Sequence, residues 1–507
     1  MGSFSFLLPV FIMLVGVAAL GHKAHQLNRN DFPPNFVFGS GTSAYQVEGA
    51  AAEDGRSPSI WDTFTHAGKM WDNSTADVSA DQYHQYKEDV KLMHDMGLDA
   101  YRFSISWSRL IPGGRGAVNP RGLLYYNNLI NELLKYGIQP HVTLHHFDLP
   151  QVLEDEYGGW LSESIVRDFT MYSDICFREF GDRVPYWSTL NEPNAFSMGA
   201  YDKGILPPQH CSSPYGLRNC SVGNSSTEPY IVTHNQLLAH ASVVKLYKQK
   251  YKSKQQGQIG LTILAYWFVP KTNRTEDVAA TQRALDFMHG WFFNPLVFGD
   301  YPDTMKENVG PRLPSFSKRQ SALVKGSFDF IGINHYVTMA ISDDWQSARN
   351  DTRDYMEDMW LRMTTFLQLP LLLPNTPWGM QGVLEYIKTS YRNPPIFVHE
   401  NGYAMPYALN LNDTERVNYL NGYLEYLLRA VRNGSDTKGY FIWSFLDVFE
   451  VLYGFKATYG LYEVNFNDKE LHRHARLSAR WYSDFLNKKS GWYIEEPAIS
   501  ESQSAKY

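Results

Sequence analysis

Cysteine is scarce, with three residues in a chain of 507. That is too few for a disulfide-built scaffold, and no Cys/His spacing matches a zinc site. Charge of one sign is missing too. The net charge of −7 is spread without runs, which excludes the basic face that a nucleic-acid binder needs. No Pro-, Gly- or Ser-rich linker divides the chain, and no fixed-period repeat marks a solenoid. Long apolar runs are absent except at residues 4–20. That stretch is short for a membrane span, and small side chains follow it at Ala19 and Gly21. Residues 1–21 therefore read as a signal peptide cleaved before His22, with no membrane attachment afterwards.

What is present agrees with export. Apolar residues make up 44% of the chain, enough to fill a large core and exclude bulk disorder. Asn-x-Ser/Thr sequons at Asn73, Asn224, Asn273, Asn350, Asn412 and Asn433 are glycosylation candidates; at Asn219 the central Cys220 makes a poor acceptor. Cys211 and Cys220 lie close enough in a Ser/Pro/Gly-rich loop to close a small ring in an oxidising compartment. Cys176 reads as a buried free thiol. The expected location is the secretory pathway, ending outside the cell, in the cell wall or in a vacuole.

Short β-rich runs alternate with longer helical patterns. The strand candidates are 36–43, 100–107, 139–145, 186–191, 259–267, 328–334, 395–399 and 440–445. Helical periodicity covers 81–96, 123–136, 163–180, 230–251, 281–292, 381–389 and 417–431. Eight strands alternating with helices predict a parallel (β/α)8 TIM barrel in one domain, 22–495, with a loose tail at 496–507. Near-continuous apolar character suits strands covered on both faces. Insertions are expected at 204–229, 299–327 and 342–374, as extended loops over the C-terminal face. Polar residues gather at the carboxyl ends of the runs: Gln46, Glu48, Arg102, His145, His146, Asp148, Asn191, Glu192, Asn334, Tyr336, Glu400, Asn401, Asp447 and Glu450. That rim is where a barrel of this kind builds its site.

Two of these residues have matching contexts. Asn191 and Glu192 leave the fourth run together before Pro193, and Glu400 ends the apolar seventh run before Asn401 and Gly402, a glycine suited to a positive-φ exit. Acetal cleavage at a sugar needs a proton for the leaving oxygen and stabilisation or trapping of an oxocarbenium-like centre; two carboxyl groups flanking one bond supply both.

The motifs that carry a resemblance are Ser43-Ala44-Tyr45-Gln46-Val47-Glu48-Gly49, Tyr101-Arg102-Phe103-Ser104-Ile105-Ser106-Trp107, Thr189-Leu190-Asn191-Glu192-Pro193 and Val398-His399-Glu400-Asn401-Gly402. With them the chain resembles glycoside hydrolase family 1, plant β-glucosidase type, over most of its length. The resemblance implies Glu192 as acid/base and Glu400 as nucleophile, with carboxyl groups ~5–5.5 Å apart as in retaining enzymes. It implies Gln46, His146, Asn191, Tyr336, Trp443 and Glu450 around the substrate. It implies Arg102 and Asn334, with Tyr336, as support for the nucleophile, and Trp378 as a wall of the aglycone cleft. No cofactor and no metal are implied. The partner is a small-molecule β-glucoside.

The chain departs from the family pattern at Val448 and Val451, where Asn and Trp are common, at Phe147 for Trp, and at His399 for Thr. Val451 donates no hydrogen bond, which loosens recognition of the outer glycone hydroxyls. These departures resemble a subgroup that includes acyl-glucose-dependent transglucosidases. Two expectations follow: hydrolysis of O-β-D-glucosides of plant phenolics, or glucose transfer to phenolic acceptors through the same Glu192/Glu400 pair.

Overall fold

The computed structural model describes residues 27–349, 352–365, 374–407 and 411–487. The expected signal peptide, the Asn350 sequon, the apolar end of the third insertion and the C-terminal tail lie outside these residues. Eight parallel strands close a barrel: β1 (Val37–Gly41), β2 (Ala100–Ser104), β3 (Gln139–His145), β4 (Tyr186–Asn191), β5 (Gln258–Leu264), β6 (Phe330–Asn334), β7 (Ile396–Asn401) and β8 (Thr437–Trp443). Each pairs with its chain neighbour, and β8 returns to β1 with Gly41 opposite Trp443. Closure leaves no strand edge open. Inside the lower barrel, Ala100, Phe330, Phe397 and Phe441 form a small apolar plug. A much larger core lies between the strands and the surrounding helices.

The helices obey their periodicity. In Ser164–Phe180, the side chains of Ile165, Phe169, Tyr172, Cys176, Phe177 and Phe180 are buried, one face of a 3.6-residue repeat. Each such large side chain contributes roughly 1.5–3 kcal/mol on leaving water. The Tyr172 hydroxyl then donates to the Leu144 carbonyl of β3 at 2.8 Å, fixing the helix against the barrel. Pro120 opens the helix Pro120–Lys135 behind the Asn119 cap, and Gly97 closes Gln82–Met96 in the left-handed region.

Four expectations need correction. The run at 259–267 is two strands: β5 stops at Leu264, and Trp267–Pro270 joins a separate rim sheet with Thr338–Asp343 and Leu361–Thr365. The third insertion is thus partly ordered β structure, because backbone groups beyond the barrel still need partners. The helical stretch at 281–292 is Thr275–Leu285, a π turn at Asp286–Gly290, and Trp291–Phe298. The insertion at 299–327 carries two helices, Asp303–Val309 and Lys318–Val324. The loop at 204–229 is largely irregular and is closed by the Cys211–Cys220 disulfide; Cys176 is a buried free thiol.

Candidate active site

The barrel brings the two glutamates to one mouth, although 208 positions separate them in the chain. Glu400 lies near the end of β7 and is 4% exposed. Both of its oxygens are engaged: Arg102 Nη1 donates to Oε1 at 2.5 Å, and the Tyr336 hydroxyl donates to Oε2 at 2.7 Å. Arg102 comes from β2, and its Nη2 donates to Asn191 Oδ1 at 2.6 Å. Asn334, ending β6, donates to the same Oδ1 at 3.1 Å and to Glu192 Oε1 at 2.8 Å. One hydrogen-bonded path therefore runs from Glu400 through Arg102, Asn191 and Asn334 to Glu192.

Asn334 was expected to support Glu400 and does not. The two stand opposite in the β6–β7 register, but the Glu400 oxygens are already taken by Arg102 and Tyr336. The amide instead leans across the apolar end of β5 to Glu192. Because Asn191 Oδ1 accepts from two donors, its Nδ2 is turned to donate to His146 Nε2 at 3.1 Å. Burial, with the Arg102 charge second, holds the His146 ring far below its ordinary pKa, so it is neutral.

Glu192 occupies a sharp corner. It has φ of 41°, a left-handed conformation that strains a residue with a side chain. Pro193 then opens the helix Pro193–Tyr201. A carboxylate at a helix N-terminus gains about 0.3–1 kcal/mol from the dipole. Burial and then the negative charge of Glu400 outweigh that gain, and the Glu192 carboxyl is pushed up to about 8, despite the Asn334 donor. The site thus pairs an anion bound by a cation with a carboxyl that keeps its proton at neutral pH.

The remaining residues frame a slot beside this pair. Trp443 is buried and lies nearly parallel to the His146 ring, with centroids 5.8 Å apart. Glu450 is buried beside Trp443, which donates to it, and its Oε1 has no protein partner. Burial pushes its carboxyl well above the usual range. An orphaned buried acceptor and donor of this kind fits a polyol ligand. The Gln46 amide donates to the Phe449 carbonyl at 2.8 Å and accepts from Ser43 at 2.7 Å, tying the β1 exit to the loop after β8. Its second N–H remains for a ligand. Trp378 opens the helix Trp378–Ser390 and is 37% exposed, on the outer rim.

Other rim residues are structural. Glu48 accepts from Arg109 at 2.8 Å and Tyr126 at 2.7 Å, and Asp447 binds both terminal nitrogens of Arg476. His145 packs under the rim against Trp160, and Trp107 is core, stacked on Tyr172 at 4.6 Å. Asp148 accepts from the His146 backbone N–H, holding its own loop. Gly402 is not in the positive-φ region. It is required for another reason: a Cβ there would lie 1.8 Å from the Trp443 carbonyl oxygen. Sequence reasoning missed Tyr459, whose ring meets Tyr336 edge-on at 6.1 Å; no local motif marks it. Phe147 holds a left-handed φ of 71° and stacks on Phe196 at 5.6 Å. Among the described residues no His/Cys/Asp/Glu cluster could hold a metal ion, and no helix is long and apolar enough to cross a membrane.

A (β/α)8 barrel with two glutamates joined by one network at its carboxyl-terminal mouth, beside a buried indole, has the form of a glycoside hydrolase. The sequence model of Glycosyl hydrolase family 1 matches residues 28–491. The chain belongs to that family. It is 54% identical to Beta-glucosidase 11 of Arabidopsis thaliana over 503 residues, 94% of this chain and 96% of the relative. It is also 54% identical to the cyanidin 3-O-glucoside 7-O-glucosyltransferase (acyl-glucose) of Delphinium grandiflorum over 470 residues, 92% of each chain. A rice β-glucosidase crystal structure superposes with a TM-score of 0.87 at 44% identity, covering 90% of this chain and 99% of that one.

Proposed function

We propose that the enzyme is a retaining β-glucosidase acting on O-β-D-glucosides of phenolic or related aglycones, with Glu400 as nucleophile and Glu192 as acid/base. The observation that carries this reading is the asymmetry of the pair. Glu400 is ion-paired and held at both oxygens, while Glu192 is pushed toward its protonated form. In the first step a Glu400 oxygen bonds to the anomeric carbon. The bond from that carbon to the aglycone oxygen breaks, and the proton of Glu192 passes to that oxygen. Forming the ester removes the charge of Glu400, one of the causes that raises Glu192, so the carboxylate left after proton transfer stays ionised and is ready to act as general base. It then takes a proton from water, whose oxygen attacks the anomeric carbon and releases Glu400.

Trp443 serves as the stacking floor for the glycone, with Gln46, His146, Asn191 and Glu450 around its hydroxyls and Trp378 beside the aglycone. A covalent complex with Glc is recorded for a mutant of the rice β-glucosidase noted above, which supports the ester intermediate. Labelling with a 2-deoxy-2-fluoro-β-glucoside should place the sugar on Glu400, detected by peptide mass. E400Q should abolish turnover. E192Q should retain the first step only for activated leaving groups, and azide should then yield β-glucosyl azide. Label on another residue, or an active E400Q enzyme, would refute the reading.

The Delphinium relative supports a second outcome, in which a phenolic hydroxyl replaces water in the last step. Product analysis with acyl-glucose donors and flavonoid acceptors separates the two. The exposed sequons at Asn73, Asn224, Asn273, Asn412 and Asn433, and the disulfide, support passage through the secretory pathway to the cell exterior or vacuole.

A further inference from the structure

Beneath Glu400 on β7 lies a polar group that the chemistry above does not use. His399 is 1% exposed and faces the barrel interior, ringed by His141, Phe330, Phe397 and Phe441. Its place exists because position 332 on β6 is glycine. A Cβ there would stand 2.5 Å from His399 Nδ1 and 2.3 Å from Thr262 Oγ1. The ring is anchored on one side only. His399 Nδ1 is 2.7 Å from Thr262 Oγ1, which is 3.1 Å from Ser188 Oγ, which donates to the Leu190 carbonyl at 3.3 Å. The Leu190 carbonyl can only accept. That fixes the direction of the chain: Ser188 donates to Leu190, Thr262 to Ser188, and His399 Nδ1–H to Thr262.

In this tautomer Nε2 carries a lone pair, and it is buried with no protein partner. Three other buried atoms in this region also have none: Arg102 Nε, His141 Nδ1 and Thr143 Oγ1. Arg102 and His141 stand opposite in the β2–β3 register, and the His141 and His399 rings are 6.0 Å apart, edge to face. Each terminal nitrogen of the guanidinium already serves a partner, Glu400 or Asn191; Nε is its one nitrogen without any. Burial, reinforced by the Arg102 charge, keeps His399 neutral and therefore able to accept. Buried polar groups are nearly always hydrogen-bonded, to water where protein does not reach.

We propose that His399 is a positioning residue: its Nε2 accepts, through an internal water shared with His141 and Thr143, the hydrogen bond of Arg102 Nε–H, and so fixes the guanidinium that holds Glu400. The proposal rests on Glu400 being the nucleophile. The acceptor makes the guanidinium a three-point clamp instead of a two-point one. A hydrogen bond to a charged group, felt through one intermediary, is worth roughly tenfold in rate.

The test compares two full-length variants. H399N keeps a donor where Nδ1 meets Thr262 and has nothing at Nε2. H399Q carries an amide to the Nε2 position. H399N should label with the 2-fluoroglucoside roughly tenfold more slowly and lose kcat in proportion, while KM and inhibition by glucose stay within about twofold. H399Q should recover to within about threefold of the parent. T262V leaves the ring in place but releases its tautomer, so it should show the same split between kcat and KM; it serves if H399N does not fold. Parental labelling rates in H399N, or in T262V where H399N does not fold, overturn the proposal. So do equal losses in H399N and H399Q accompanied by a lower melting temperature, which would mean packing alone. An active E400Q enzyme would instead refute the nucleophile assignment, so the two failures are distinguishable.

Discussion

Replacing Asn334 with alanine tests the electrostatics of the pair most directly. The Asn334 amide donates to Glu192 Oε1 at 2.8 Å and also serves Asn191 at 3.1 Å. A donor aimed at a carboxylate stabilises the ionised form, and its removal favours the proton. Hydrogen bonds to charged groups are worth about 1.5–3 kcal/mol. Sharing with Asn191, and the partial opening of Glu192 to the mouth, argue for the low end, or about one pH unit. The alkaline limb of kcat/KM reports loss of the proton from the free enzyme's general acid. With a poor aryl leaving group, that limb should lie near 8 in the parent, where burial and Glu400 place Glu192. In N334A it should move about one unit upward. A highly activated leaving group needs no proton and should show a weak limb or none in either enzyme. A limb that stays put or moves to lower pH in N334A would refute the reasoning.

Y336F removes the hydroxyl that donates to Glu400 Oε2 at 2.7 Å, and steady-state kinetics should show kcat falling by about 10–100-fold with KM little changed. V451W places an indole donor beside Glu450, and kcat/KM for glucosides over epimers altered at the outer hydroxyls should improve by about 2–10-fold, measured across an aryl glycoside panel. Because Glu192 holds its proton more tightly folded than unfolded, the stability it contributes is complete below about 4.5 and is lost as pH rises through about 8. E192Q lacks this loss, so its melting temperature at pH 7 should exceed the parent's by an amount reflecting on the order of 3 kcal/mol, with a flatter profile across that window.

The barrel was legible because parallel strands buried on both faces read as apolar runs, and seven of the eight emerged nearly in place. The exception, at 259–267, failed because Tyr266 and Trp267 continue the same β-favouring composition past the point where β5 ends. Glu192, Glu400 and Arg102 were found through motifs at strand ends, which fix position along a strand but not the direction a side chain takes. That is why Asn334 was given the wrong partner: the direction depends on which oxygens a third strand has already occupied. Glu48 and Asp447 lie at the same rim but are consumed by Arg109 and Arg476, brought from elsewhere in the chain. Gly402 was recognised as necessary for the wrong cause, since a close approach between β7 and β8 leaves no trace in either segment.

That approach has a consequence for how such a pocket can change. The main chain at Gly402 rests against the Trp443 carbonyl with no room for one more carbon. The spacing between the Glu400 strand and the Trp443 main chain is therefore set by backbone contact rather than by side chains. Side-chain variation acts elsewhere, as at Val451, which follows Glu450 in the chain, and at Trp378, which is exposed on the outer rim.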